Sequence, residues 1–179
     1  MLHSLVMPSS DSRRPLKQFV PGERYEEMQQ WSAPPPDMPG VWNFLGWRRT
    51  ELEPGWTVME WDTTEDHGFP AGDGWIIHGG MVTAILDTAM GGATWTLLNS
   101  NEVFLTADLR TEFYRPTTPG LIRAEGWVVN KTRRVTFAAA ELFDVAGKLL
   151  ASGRATNLSI DLADPRDLPK QGPATPERG

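Results

Sequence analysis

Asp87 is the only ionisable side chain between Gly80 and Leu98, in a run of small and apolar residues that opens with His78-Gly79-Gly80. Met81, Ala84, Ile85, Leu86, Ala89, Met90, Ala93, Trp95, Leu97 and Leu98 put apolar groups on nearly every face of a helix, a pattern that predicts burial. An unpaired buried charge is costly, so a carboxylate there must be partnered or put to use. Its chemical uses are general base on a water or direct attack on an electrophile. The structural alternative is a carboxylate bonded to Thr83 or Thr88. At the helix start, Gly79 and Gly80 let backbone N–H groups approach a ligand with no side chain in the way, where the helix dipole favours a developing oxyanion. Relief of close packing is the other reading of that glycine pair.

The elements that must position these groups follow from the pattern on either side. Gly46 to Glu53 and Trp56 to Thr63 flank Pro54-Gly55, a tight-turn signal, and form a candidate hairpin. Glu65 to Gly74 is rich in glycine, charge and proline and reads as a loop bordering the site. Trp75-Ile76-Ile77 then leads into His78. Beyond the helix, Leu105, Ala107, Leu109, Thr111 and Phe113 alternate with Thr106, Asp108, Arg110, Glu112 and Tyr114, the period of a strand with one polar face. Leu121 to Lys131, Arg134 to Asp144 and Lys148 to Ile160 continue as three further strands. Short loops between the last four strands call for antiparallel neighbours, and a lone apolar helix needs a curved sheet to cover it. The economical architecture is α+β.

Residues 41–160 form the predicted domain. Residues 1–40 read as a proline-bearing extension with a short helix around Glu23 to Trp31, and residues 161–179 as a flexible tail. With 17 basic against 23 acidic residues the chain carries a net charge of −6, so no global basic field draws it to nucleic acid or an anionic membrane. The lack of cysteine removes thiol nucleophiles, thiolate metal sites and disulfides, and suits a reducing compartment. His3, His67 and His78 are scattered, which argues against zinc. No apolar run reaches membrane-spanning length and no secretory leader is legible, so the chain reads as a cytoplasmic protein.

His78-Gly79-Gly80, the acid nine residues after the histidine, Thr106-Ala107-Asp108-Leu109 followed by Phe113-Tyr114-Arg115-Pro116, and Asp144 to Leu149 together resemble the hotdog-fold thioesterases of the phenylacetate-pathway (PaaI-like) type. The resemblance covers about residues 41–160. It implies a curved antiparallel sheet wrapped around one long central helix and hydrolysis of acyl-CoA thioesters without metal or organic cofactor, CoA entering as part of the substrate. It also implies a homodimer, often paired into a tetramer, with sites at the subunit interface. Asp87 then takes the catalytic position and Gly79 and Gly80 the oxyanion position. His78 matches the family histidine beside the carbonyl site, with helix capping as its alternative. Thr106 lies where the family often holds the attacking water with a hydroxyl, with an ordinary strand threonine as its alternative.

Gly80 and Asp87 are seven residues apart, on the order of 10 Å of helix rise, too far to touch one carbonyl easily. Antiparallel helices from two subunits bring Gly79 of one opposite Asp87 of the other. Arg133 and Arg134, with Lys131, are the densest basic cluster in the domain and can meet the CoA phosphates. Trp75, Trp95, Phe104 and Tyr114 can line an acyl pocket. Two positions depart from the family pattern: Thr132 replaces a turn glycine, and Gly72 replaces an asparagine six residues before the histidine. Two other readings stand beside hydrolysis. Asp73 and His78 have the spacing of the pair that hydrates a double bond in hotdog-fold enoyl-CoA hydratases, and the same groove can serve a non-catalytic acyl-CoA-binding module.

Overall fold

The computed structural model of the chain describes residues 18–30, 40–164 and 166. The predicted Ala33 to Pro36 arm and most of the predicted tail lie outside the described residues. Two short helices, α1 (Glu23–Gln29) and α2 (Val41–Leu45), precede strands β1 (Arg48–Glu53) and β2 (Trp56–Thr63). A small hairpin of β3 (Gly68–Ala71) and β4 (Gly74–Ile77) leads into the long helix α3 (Gly79–Trp95). Strands β5 (Glu102–Phe113), β6 (Gly120–Lys131), β7 (Val135–Asp144) and β8 (Leu149–Asp161) are the remaining elements among the described residues.

Six strands form one antiparallel sheet in the order β1-β2-β6-β7-β8-β5. The sequence alone predicts this α+β architecture. It does not predict β3 and β4, because Glu65 to Gly74 reads as a loop. Gly72 explains the difference: its φ of +61° supplies a left-handed turn residue and lets the chain double back.

Helix α3 lies against the sheet. Ile85, Leu86, Ala89 and Met90 are fully buried and share one core with Met59, Trp61, Ile122, Ala124 and Leu142. The approach is closest at Gly126, where an added Cβ would lie 2.3 Å from the carbonyl carbon of Ala89. Thr57 fixes the same level of the helix by donating its hydroxyl to the Ala89 carbonyl at 2.8 Å.

Strand β5 pairs only with β8 and leaves its other edge open among the described residues. Its register slips between Thr106 and Asp108, so Ala107 is a bulge. The alternation predicted for this strand therefore changes phase at that point. Phe104 packs on Gly91 and Leu109 packs on the core, whereas Leu105, predicted to share the apolar face, is 61 % exposed.

Segment 18–30 packs against the end of α3. Gly22 N–H donates to the Thr96 carbonyl at 2.9 Å and Arg24 N–H to the Leu98 carbonyl at 3.1 Å. No helix among the described residues is long and apolar enough to cross a membrane.

Candidate active site

Asp87 sits midway along α3 and is half-buried. Its Oδ1 accepts a 3.2 Å hydrogen bond from the Thr106 hydroxyl, the one hydrogen-bond partner it has among the described residues. Thr88, named above as a possible structural partner, instead donates its hydroxyl to the Ala84 carbonyl at 2.9 Å. Burial raises the Asp87 pKa above the ordinary carboxylate value, and the Thr106 bond opposes that rise in part. The outcome is a carboxylate more basic than one in water, held by the Thr106 hydroxyl.

A cavity of about 440 Å³ opens beside this carboxylate. Thr88, Gly91 and Gly92 of α3 line it, with Trp95, Phe104, Trp42, Met28 and Glu27. Gly91 makes this shape possible, since a Cβ there would meet the Phe104 ring at 2.9 Å. Two of the four aromatic residues expected at an acyl pocket, Trp95 and Phe104, are present, and their rings meet edge to face at 6.0 Å. Trp75 on β4 and Tyr114 are not among the lining residues; the Tyr114 hydroxyl is engaged with Glu112 and Ser152. Met28, Trp42 and Glu27 were not anticipated, because they lie before the strands that define the domain in the sequence.

The start of α3 shows one of the two readings given for its histidine. His78 is its N-cap, and His78 Nδ1 accepts the Gly80 N–H at 3.0 Å. The capping alternative for His78 is thus present, and Gly80 directs its N–H to the ring instead of to a ligand. Gly79 N–H donates to no acceptor among the described residues. Neither glycine borders the cavity next to Asp87. Gly79 and Asp87 are eight residues apart, about 12 Å of helix rise, so one chain does not bring them to one carbonyl.

Arg133 and Arg134 are exposed in the β6–β7 turn, which Thr132 closes by accepting the Val135 N–H at 3.0 Å. The groove beside them also holds Asp161, Asp164 and Arg166, so its charge is mixed. Arg166, by hydrogen bonding, and more weakly Arg134 hold the Asp164 carboxyl down at about 2. Asp73 and His78 lie at opposite ends of the extended Gly74–Ile77 strand, on the order of 16 Å of chain apart. The structure does not bring them together as a water-activating pair, and Gly72 is in the turn at the far end of that hairpin.

A curved sheet around one long helix, with a half-buried acid on that helix beside an apolar cavity, defines the hotdog fold of thioester hydrolases. The profile of the thioesterase superfamily matches residues 75–151, from β4 into β8. A solved protein of the thioesterase superfamily is 30 % identical over 66 % of this chain and 89 % of its own, with a TM-score of 0.59. A phenylacetic acid degradation-related protein from Ralstonia eutropha is 26 % identical over 76 % of this chain and 99 % of its own, with a TM-score of 0.66. A thioesterase from Haemophilus influenzae shares the fold at 19 % identity, covering 83 % of this chain and 96 % of its own with a TM-score of 0.67. No curated protein matches the chain. The chain belongs to the thioesterase superfamily.

Proposed function

We propose that the protein hydrolyses an acyl- or aryl-acyl-CoA thioester to the free acid and CoA, with Asp87 as general base or nucleophile. The observation that supports this most directly is the half-buried Asp87 carboxylate, raised in basicity and held among the described residues by Thr106, at the edge of an apolar cavity. As a base, Asp87 takes a proton from water, whose oxygen attacks the thioester carbonyl while the C–S bond breaks and CoA leaves as thiolate. As a nucleophile, it forms a mixed anhydride, releases CoA, and is regenerated by water. A single turnover in ¹⁸O-labelled water tests the routes: label on Asp87 shows an anhydride opened at the aspartyl carbonyl, and label confined to the acid product fits the base route or an anhydride opened at the acyl carbonyl.

The oxyanion needs a donor, and Gly79 N–H is the one left open at the helix start among the described residues. We place it opposite Asp87 of a second subunit, which makes a homodimer, alone or paired into a tetramer, the active unit. The long open edge of β5, with Leu105 61 % and Phe113 54 % exposed, is a surface suited to that pairing. His78 orients the turn through its Gly80 bond, Thr106 orients Asp87 or the water, and Gly80 and Trp75 flank the entering thioester. Arg133, with Arg134, meets the nucleotide phosphates of CoA. The reaction in this reading uses no metal or organic cofactor and takes place in the cytoplasm.

The test is release of CoA from aryl, short, medium and long acyl-CoA thioesters, read with a thiol-reactive dye against a protein that has no cysteine. Asp87→Asn is expected to lose at least about a hundredfold in turnover, the low end of what a positioned acid or base supplies. Binding of acyl-CoA without release of CoA by the wild type would favour the non-catalytic module.

A further inference from the structure

We infer that Glu27 is a specificity-determining residue: by pairing with Arg24 it neutralises the cation at the Trp95 end of the groove, so that the site takes uncharged acyl groups and rejects those that end in a carboxylate. The inference rests on the acyl-thioester reading of Asp87.

Asp87, Gly91 and Trp95 are spaced four residues apart, so they share one face of α3 and mark a groove of about 12 Å from the carboxylate to the indole. Helix α1 meets this groove at the Trp95 end, where Gly22 N–H donates to the Thr96 carbonyl and Arg24 N–H to the Leu98 carbonyl. The Arg24 guanidinium lies 5.1 Å from the centre of the Trp95 ring. Its Nη2 donates to the Ser100 carbonyl at 2.6 Å and to the Glu102 carbonyl at 3.3 Å, which fixes the cation there. Its Nη1 donates to Glu27 Oε2 at 3.0 Å. These distances and one C–N bond put the Glu27 carboxylate within about 10 Å of the Trp95 ring centre. Glu27 also lines the cavity.

The two partners differ in exposure: the Arg24 side chain is 18 % exposed and that of Glu27 52 %. Backbone carbonyls hold the cation in place, and a side chain at the rim supplies the anion. While the pair is intact the two charges largely cancel for an acyl group in the groove, whose lining past Asp87 is mainly glycine backbone, Met28 and aromatic rings. A terminal carboxylate entering it loses water, gains no partner and meets Asp87 and Glu27 as like charges. An alkyl or aryl terminus has no such hydration to lose. Without the Glu27 charge, Arg24 presents a free Nη1 donor and a net positive charge at the end of the groove, where a terminal carboxylate can pair with it.

The experiment compares kcat/KM for octanoyl-CoA and its ω-carboxy analogue suberyl-CoA in the wild type, Glu27→Gln and Glu27→Asp, at low and high salt; the charge of CoA is common to both substrates. Wild type should favour octanoyl-CoA at least about tenfold, and Glu27→Gln should reduce that preference at least about fivefold. Glu27→Asp keeps the charge and should stay near the wild-type ratio. The shift in Glu27→Gln should shrink at about 1 M salt, because an unmasked charge at the rim is screened. It should vanish when Arg24→Gln is added, because the unmasked charge is then gone. Equal use of the two substrates by the wild type, or an unchanged ratio in Glu27→Gln, overturns the inference. A shift of the same size in Glu27→Asp, or one that salt does not reduce, also overturns it, since either marks altered packing instead of charge. If the double variant does not fold, the salt dependence and Glu27→Asp decide. If the wild type releases no CoA from any acyl-CoA, the hydrolytic reading fails separately. The charge preference is then read by calorimetric binding of the non-hydrolysable thioethers octyl-CoA and 7-carboxyheptyl-CoA: a gain for the carboxy ligand in Glu27→Gln alone supports the inference, and the same preference in all three proteins overturns it.

Discussion

The Thr106 hydroxyl reaches Asp87 Oδ1 at 3.2 Å from a strand whose register slips at the very next residue. The bulge at Ala107 lets β5 turn Phe104 and Thr106 toward the helix on one side of the slip and Leu109 on the other. A regular strand could direct only one of these sets inward. The irregularity thus lets one strand give the acid a hydrogen-bond donor and still send Leu109 to the core.

Removing that donor shifts the pH profile in a definite direction. The hydroxyl stabilises the ionised form of Asp87, so Thr106→Val should raise its pKa beyond the increase that burial already causes. An essential carboxylate base loses activity as the pH falls through its pKa. The acid limb of kcat/KM should therefore move to higher pH in Thr106→Val and stay near the wild-type position in Thr106→Ser. Coincident limbs in all three proteins would mean that the hydroxyl does not act on the acid.

Asp87 also links stability to pH. Its folded-state pKa lies above the ordinary 3.8, so the folded form holds this proton more tightly than the unfolded chain does. The resulting stability is fully present below about pH 3.8 and is lost as the pH rises through the folded-state pKa. At pH 7, Asp87→Asn should melt at a higher temperature than the wild type, and the gap should shrink near pH 4. A wild type that melts higher at pH 7 would identify Asp87 as a structural carboxylate.

A site shared between subunits can be tested by complementation. Proline is well tolerated at the first position of a helix, and the extended His78 backbone (φ −58°, ψ 132°) suits the residue before a proline. Gly79→Pro thus removes one N–H while keeping the helix start, and should lower kcat about 10² to 10³-fold, as loss of an oxyanion donor does. Refolded as an equal mixture with Asp87→Asn, half the dimers become hybrids, each with one intact site out of two. About a quarter of the wild-type activity should return. No recovery in verified hybrids would place the whole site within one chain.

Gly126→Ala tests how the helix rests on the sheet. The new methyl would meet the backbone of Ala89 at 2.3 Å, and a backbone atom cannot rotate aside. A loss of about 3 kcal/mol is expected, the upper end for overpacking, read as a melting temperature lower by roughly 6–12 °C. A change within about 1 °C would show that α3 can shift away from β6 without penalty.

Much of this frame was legible before any coordinates. Asp87 stood out because it interrupts an apolar run, and the strands declared themselves by alternation and by turn residues. The β3–β4 hairpin was hidden because strands of four residues, one of them containing Pro70, carry almost no periodic signal. The pocket wall was hidden for a different reason. Within α1 only Tyr25 and Met28 are apolar, too few to reveal which surface they cover.

The sequence by itself determined the central helix, the antiparallel strands, the acid and the glycines at the helix start, because each follows from local chemistry and short-range spacing. Only the tertiary structure decided that Thr106 is the partner of Asp87, that His78 occupies the Gly80 N–H, and that Met28 lines a cavity together with glycines 91 and 92. These relations join residues through a one-residue bulge, a cap angle and the docking of a seven-residue helix. Each depends on where separate elements meet in space, and side-chain patterns along one element do not encode that meeting.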